Sequence, residues 1–383
     1  METYEFNVMD YGATGNGVAD DTTAFQLAIN AAIAKNAKLI IPPPLTSSGF
    51  YKITSTLIVK HPTNAECYMD LEAIGGIPRS QIRYLGANGT PCFQIIGLRF
   101  SIWSGLKIQM GNNIDLIAID LDTNSLSFST SYITFNNCHI ALGTGTGQQG
   151  WRLGHISGGG ADISCLEWNN CSVFGANPVV STHIGWHIEG SNTLQNVWFN
   201  CFGSTLGILY SNKSGAGATN SGNGAAYFYG LGTSQNLLEF QIANSQSYVV
   251  SGGRFESGKR VLTVENSNVS PSIVFQGTEI NDYHPVDGVL FLLDMPCSLK
   301  LDGVNIKGKK GATGVLDNNV ITAYGGGTGV RYGRVIVDGG AIEATDPYYR
   351  INLNTTLWKF YSRGVGKQNS AGVCTGIMND VSL

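Results

Sequence analysis

Charge is scarce in this sequence. Only 13% of the 383 residues are Asp, Glu, Lys or Arg, about half the usual share of roughly 25%. The formal net charge is −4, and no lysine–arginine cluster stands out. That argues against nucleic acid as a partner, which would need a concentrated basic face. The short basic stretches GKRVL (Gly258–Leu262) and KGKKG (Lys307–Gly311) read as solvated turns. Long apolar runs are missing too: VLFLLDMPC (Val289–Cys297) is interrupted by Asp294 and Pro296 and is too short to span a membrane, so no membrane insertion is expected. METYEFNV at the N-terminus has neither a basic region nor an apolar core, so no signal peptide is visible. The eight cysteines (Cys67, Cys92, Cys138, Cys165, Cys171, Cys201, Cys297 and Cys374) include no Cys-x-x-Cys, which weakens zinc and thioredoxin readings. Several lie in apolar contexts, and free buried thiols from synthesis in a reducing cytoplasm are expected. No cofactor or metal is implied.

Helical periodicity is also nearly absent. One helix is legible, starting near Asp20–Asp21 as N-cap candidates and running through TTAFQLAINAAIA, with Phe25, Ala28, Ile29 and Ala32 on one apolar face. LIIPPP (Leu39–Pro44) follows as a strand with a hard stop. The sequence has 50 glycines, and beyond residue 50 it is rich in Gly, Asn, Ser and Thr. Short alternating apolar runs mark strands: YITFNNCHIAL (Tyr132–Leu142), ISCLEWNNCSVFG (Ile163–Gly175), NVWFNCFG (Asn196–Gly203), LLEFQI (Leu237–Ile242), SIVFQGTEI (Ser272–Ile280), SLKLDGVNI (Ser298–Ile306) and RVIVDGGAI (Arg334–Ile342).

These runs repeat. An Asn-Cys pair recurs at 137–138, 170–171 and 200–201, and glycines recur at 253, 277, 303 and 339. Such periods indicate a solenoid or a propeller. The steps are too short for four-stranded blades and no Trp-Asp signature recurs, so a parallel β-helix of two or three short strands per coil is the better fit. An open end of such a stack exposes apolar side chains and unpaired edges, so a cap is required.

FNVMDYGATGNGVADDTTAFQLAINAA then resembles the N-terminal signature of the pectate-lyase-like, right-handed parallel β-helix superfamily, which includes polygalacturonase-like glycosidases and bacteriophage tailspike depolymerases. The matching residues are Val8, Tyr11, Gly12, Ala13, Gly15, Gly17, Asp20, Asp21, Thr22, Ala24, Gln26, Ala28 and Ile29; Asn16 departs from the commoner Asp. The element Pro42–Tyr51 also resembles the family's next strand, and SGGRFESGKRVLTVE (Ser251–Glu265) resembles a tailspike coil. GATGNGVADD lacks the lysine and spacing of a phosphate loop, so the segment is read as a lid, with Asp20 and Asp21 capping and forming turns. The resemblance implies an all-β, single-domain β-helix: residues 1–50 as the cap, 51–347 as the helix, and 348–383 as strands that close the stack or make a trimer contact. It also implies a complex or acidic polysaccharide as substrate, a homotrimer, and a virion-tail or extracellular location.

Hydrolysis of a glycosidic bond needs paired carboxylates. Strand alternation nominates outward residues: Glu167 in CLEWN, Trp198 in NVWFN, Glu239 in LLEFQI, and Arg254 and Glu256 in GGRFESG. If these strands share a sheet, Glu167, Trp198 and Glu239 line one groove. Trp198 is equally well read as buried at a subunit contact. Glu167, Glu239 and Glu256 are the leading catalytic candidates and Asp162 the fourth; Trp198, Arg254 and Tyr248 are the substrate-binding candidates, with Arg254 the one suited to an acidic sugar. His183 and His187, near Glu189, lie four apart in a β context, about 13 Å apart and too far to share an ion. Ser211–Ala226 reads as a long loop that walls a groove or is merely mobile. Polysaccharide lyase chemistry on a uronate and a non-catalytic carbohydrate-binding β-helix remain the alternatives.

Overall fold

The structure, a computed structural model, describes residues 4–44, 49–63, 65–75, 81–122, 129–154, 163–190, 193–213, 224–243, 247–265, 270–283, 289–308, 319–323, 333–344, 350–353, 358–363 and 366–369. Its strands build three sheets, A, B and C, of 14, 12 and 11 strands, and the chain visits them in that order on each coil. All pairings between named strands are parallel, each joining one coil to the next. Thr130–Asn136 in sheet A, His139–Ala141 in sheet B and Gln149–Leu153 in sheet C make one such coil. The architecture is a single-stranded right-handed parallel β-helix, the hand that parallel crossovers take almost without exception.

The corner between sheets A and B explains the repeats seen in the sequence. It turns on one residue with a left-handed backbone on nine successive coils: Gly105, Asn137, Asn170, Asn200, Gly230, Gly252, Gly277, Gly303 and Gly339. Only Gly, and at some cost Asn, adopts this conformation readily. The corner's N–H groups stay paired from coil to coil, as in Asn137 N to Asn169 O and Gly230 N to Ser251 O, both 2.9 Å. The Asn-Cys pairs and the later glycines are thus one corner, with Gly252 rather than Gly253 in the equivalent place on its coil. Just inside it, the Cys171 and Cys201 thiols each lie 3.3 Å from a carbonyl of an adjacent coil. The described cysteines are all free, and all but Cys165 are buried.

The core runs down the axis. On the inner face of sheet A, Trp103, Phe135, Trp168, Trp198 and Phe228 fall in register. Trp198 stacks between Trp168 (4.6 Å, 5°) and Phe228 (4.4 Å, 14°). Facing them from sheet C are Phe93, Ile119, Trp151, Trp186 and Tyr210. The helix Thr22–Ala34 covers the first coils with Phe25, Ala28, Ile29 and Ala32 fully buried.

Both aspartates of the opening stretch are structural. Asp20 accepts from the Thr22 N–H (3.0 Å) and from the Thr22 and Thr54 hydroxyls. Asp21 clamps the glycine loop through the Thr14 and Gly15 N–H groups. At the other end, Arg350–Leu353, Trp358–Arg363 and Gly366–Asn369 extend sheets C, A and B. Among the described residues no helix is long and apolar enough to cross a membrane.

Candidate active site

Three of the nominated side chains point into the core rather than out of it. Trp198 is 1% exposed, while Val197 and Phe199 face outward. Its inner neighbour on the strand is Asn196, whose Oδ1 accepts from Leu166 N at 3.2 Å. Tyr248 is buried in register with Ala226 and Ile273 and receives a hydrogen bond from Asn212 Nδ2.

Glu239 is buried because strand alternation fails where the chain enters sheet C. There Leu209 and Tyr210, Glu239 and Phe240, and Val261 and Leu262 are consecutive residues that are both buried. Two successive N–H groups, of Val261 and Leu262, donate to the single Leu290 carbonyl (3.0 and 3.1 Å), the mark of a local bulge. Glu239 therefore sits inside, accepting from Tyr283, Thr233 and Asn236. The groove of Glu167, Trp198 and Glu239 is overturned: the strands of Glu167 and Trp198 lie in sheet A and that of Glu239 in sheet C.

The remaining nominees do face outward. Glu167 lies on the outer face of sheet A and accepts from Asn169 Nδ2 at 2.7 Å. Arg254 and Glu256 pair on sheet B at 2.5 Å. Asp162 lies outside the described residues, as does the middle of Ser211–Ala226.

Among the described residues a dense set of ionisable side chains lies on the outer face of sheet C, at positions that alternation did not nominate. Three successive strands there, Ile117–Asp122, Gln149–Leu153 and Val180–Ile188, bury Ile119 and Leu121, Trp151 and Leu153, and Trp186 and Ile188. The residues between and after them point away from the core. Register places Asp120, Arg152 and His187 in one column. Asp122, Gly154 and Glu189 follow in the next, tied by Gly154 N to Leu121 O (2.8 Å) and Glu189 N to Leu153 O (2.9 Å).

The guanidinium of Arg152 grips Asp120 bidentately, Nε to Oδ1 at 2.9 Å and Nη2 to Oδ2 at 2.8 Å. Burial alone would lower the Arg152 pKa, but the Asp120 carboxylate outweighs it and holds the cation above its ordinary value. His187 Nδ1 lies 3.1 Å from Glu189 Oε1 and 3.1 Å from Gln149 Oε1, and its Nε2 lies 2.9 Å from the Lys213 carbonyl. His183, which pointed toward the same neighbourhood in the sequence, instead meets the Gly145 carbonyl at 2.7 Å.

Polar side chains on an outer sheet face normally meet water, yet Asp120, Asp122, Arg152 and His187 are all buried. Enclosed, mutually bonded ionisable groups are where catalytic chemistry concentrates. The connections leaving sheet C include long ones, Leu153 to Ile163 and Ser211 to Ala225. Long loops on a rigid scaffold are where function is carried. The sequence signal was present as D-L-D, R-L-G and H-I-E on three consecutive coils.

The fold is shared with phage proteins. The structure superposes on the tailspike protein gp49 from Pseudomonas phage LKA1 with a TM-score of 0.60 and 10% identity, covering 95% of this chain and 77% of that one. For the N-terminal fragment of bacteriophage Phi29 gene product 12 the values are 0.60, 15%, 94% and 66%. For the tailspike protein of Acinetobacter phage vB_ApiP_P1 they are 0.54, 14%, 99% and 65%. The chain thus spans about two thirds to three quarters of these proteins. No protein-family model and no curated protein matches the sequence.

Proposed function

We propose that this β-helix acts on a polysaccharide as a glycoside hydrolase, with its chemistry on the outer face of sheet C. The observation that carries this reading is the column Asp122–Gly154–Glu189. Two carboxylates flank a glycine whose backbone packs against Gly190, where a Cβ on Gly154 would stand 2.6 Å from the Gly190 Cα, so the two acids are held on successive coils about a closely packed turn. Being two coils apart, their Cα atoms are separated by about 9.5 Å. Glu189 is the more open of the two, its side chain 15% exposed against full burial of Asp122.

In this reading Glu189 takes a proton from water. The water oxygen bonds to the anomeric carbon, the glycosidic C–O bond breaks, and Asp122 gives its proton to the leaving oxygen. His187 positions Glu189, and the Arg152–Asp120 pair fixes the adjacent column. A lyase acting on a uronate needs cationic groups to neutralise its substrate; here the one arginine is committed to Asp120, and carboxylates are in excess. The likeness to tailspikes supports a place on a virion tail or outside a cell. The homotrimer implied by the opening stretch is checked by sedimentation equilibrium.

The decisive experiment measures release of reducing ends, and of the ultraviolet absorbance of unsaturated uronates, across a polysaccharide panel. Asp122→Asn and Glu189→Gln each lower hydrolysis by about 100-fold or more, while Glu167→Gln and Glu256→Gln leave it intact. Full activity in Asp122→Asn would discard this site. Unsaturated products would replace the hydrolase with a lyase, and an inert wild type across the panel would leave a binding protein.

A further inference from the structure

The outer face of sheet B carries a second arrangement suited to sugar, away from the enclosed cluster on sheet C. Phe202, Gly232, Arg254 and Glu279 occupy one register column on four successive coils, and Phe174 and Glu256 lie in the neighbouring column. Phe202 leans across the bare Cα of Gly232; a Cβ there would stand 3.0 Å from its Cδ2 and 3.6 Å from its Cε2. The Cδ2–Cε2 edge of the ring is thus set beside the glycine, and Phe202 stays partly exposed on the sheet. Phe174, 41% exposed, stands beside it with centroids 5.8 Å apart and planes tilted by 45°.

One coil beyond the glycine, Arg254 is bonded to Glu256 at 2.5 Å and lies 4.0 Å from Glu279. A pair of partly exposed aromatic rings followed by a fork of donors and acceptors matches the two sides of a pyranose, one lined with C–H bonds and the other with hydroxyls. One cation against two carboxylates leaves the strip negative, which disfavours a uronate or sialylated chain.

We propose that this strip of sheet B is a separate, non-catalytic binding site for an uncharged polysaccharide, with Phe202 as the stacking platform and Arg254, Glu256 and Glu279 as the hydroxyl-binding end. It does not depend on the assignment of the reaction to sheet C.

Affinity electrophoresis of the full chain in gels containing dextran, starch or galactomannan, with alginate as the anionic comparison, tests it. The wild type is retarded in at least one neutral gel and not in alginate. Phe202→Ala and Arg254→Ala each weaken that retardation at least fivefold. Gly232→Ala does the same while keeping every contact residue, because its Cβ lifts the Phe202 ring off the sheet. Hydrolysis of short oligosaccharides by these variants is unchanged, since the strip lies on another face from the proposed reaction. No retardation in any neutral gel, tighter retention in alginate, or equal retention by all three variants overturns the proposal. So does a change in sedimentation alone, which would make the strip a contact between copies of the chain.

Discussion

Tyr283 donates its hydroxyl to Glu239 Oε1 at 2.5 Å inside the coil. Thr233 Oγ1 donates to the same oxygen at 3.0 Å and Asn236 Nδ2 to the other at 2.9 Å, so these three partners of the carboxyl are neutral. Burial is the dominant influence and pushes its pKa from 4.5 up to about 7, against the pull of these bonds. The folded chain therefore keeps a proton that the unfolded chain releases. Stability from this group is fully present below 4.5 and falls as the pH rises to about 7, by about 3 kcal/mol in all. Urea midpoints at about pH 5 and about pH 8 should show this loss in the wild type. Glu239→Gln, which cannot ionise, flattens the difference, and an unchanged slope would mean that the buried carboxyl does not titrate there.

Trp198 and Phe199 are adjacent but do different work. Trp198 is locked in the axial stack and Phe199 is 37% exposed, stacked on Tyr229 at 5.2 Å. Trp198→Ala should cost about 3–5 kcal/mol, the usual penalty for emptying a core aromatic site. Phe199→Ala should cost less than about 1 kcal/mol. Chemical denaturation of the two variants checks the direction of both side chains, and equal losses would contradict the stack.

Those two residues also show how far the sequence could be read. The solenoid, its capping helix and most strands follow from local signals: one helical period, short alternations and recurring corner residues. The side-chain directions needed one step more. Aligning Asn170–Cys171 with Asn200–Cys201 puts Trp168 opposite Trp198, so both share the inner face, whereas alternation read on NVWFN alone chose the wrong parity. Glu239 was harder, because a bulge that places two successive residues inside has no local signature. The sheet C cluster went unnoticed for a related reason. Asp120, Arg152 and Glu189 lie far apart in the chain, and only the coil register makes them neighbours.

The corner asparagines allow a test of the backbone alone. Asn170 and Asn200 are exposed and hold φ of 52° and 49°, so substitution there removes little packing. Alanine is disfavoured in this region by about 1–2 kcal/mol, whereas glycine is at home in it. Asn170→Ala should lower stability by about 1 kcal/mol, and Asn170→Gly should match or exceed the wild type. Thermal melts of the pair check it. If alanine and glycine behave alike, the left-handed corner is not what sets the turn.

The spacing of Asp122 and Glu189 makes a stereochemical prediction. Retaining glycosidases hold their carboxyl groups about 5–5.5 Å apart so that one can attack the sugar directly, whereas inverting enzymes leave about 6.5–9.5 Å to admit a water. Side chains one coil apart would suit the first geometry. These two are a full coil further apart, with Gly154 between them, which suits the second. Proton NMR of the first-formed product, recorded before mutarotation, should therefore show the anomer opposite to that of the substrate. Exogenous azide should rescue a variant lacking its base, Glu189→Ala, to a glycosyl azide of inverted configuration. A product of retained configuration would require a nucleophile closer to Asp122 than Glu189 is, and would move the second carboxylate off this column.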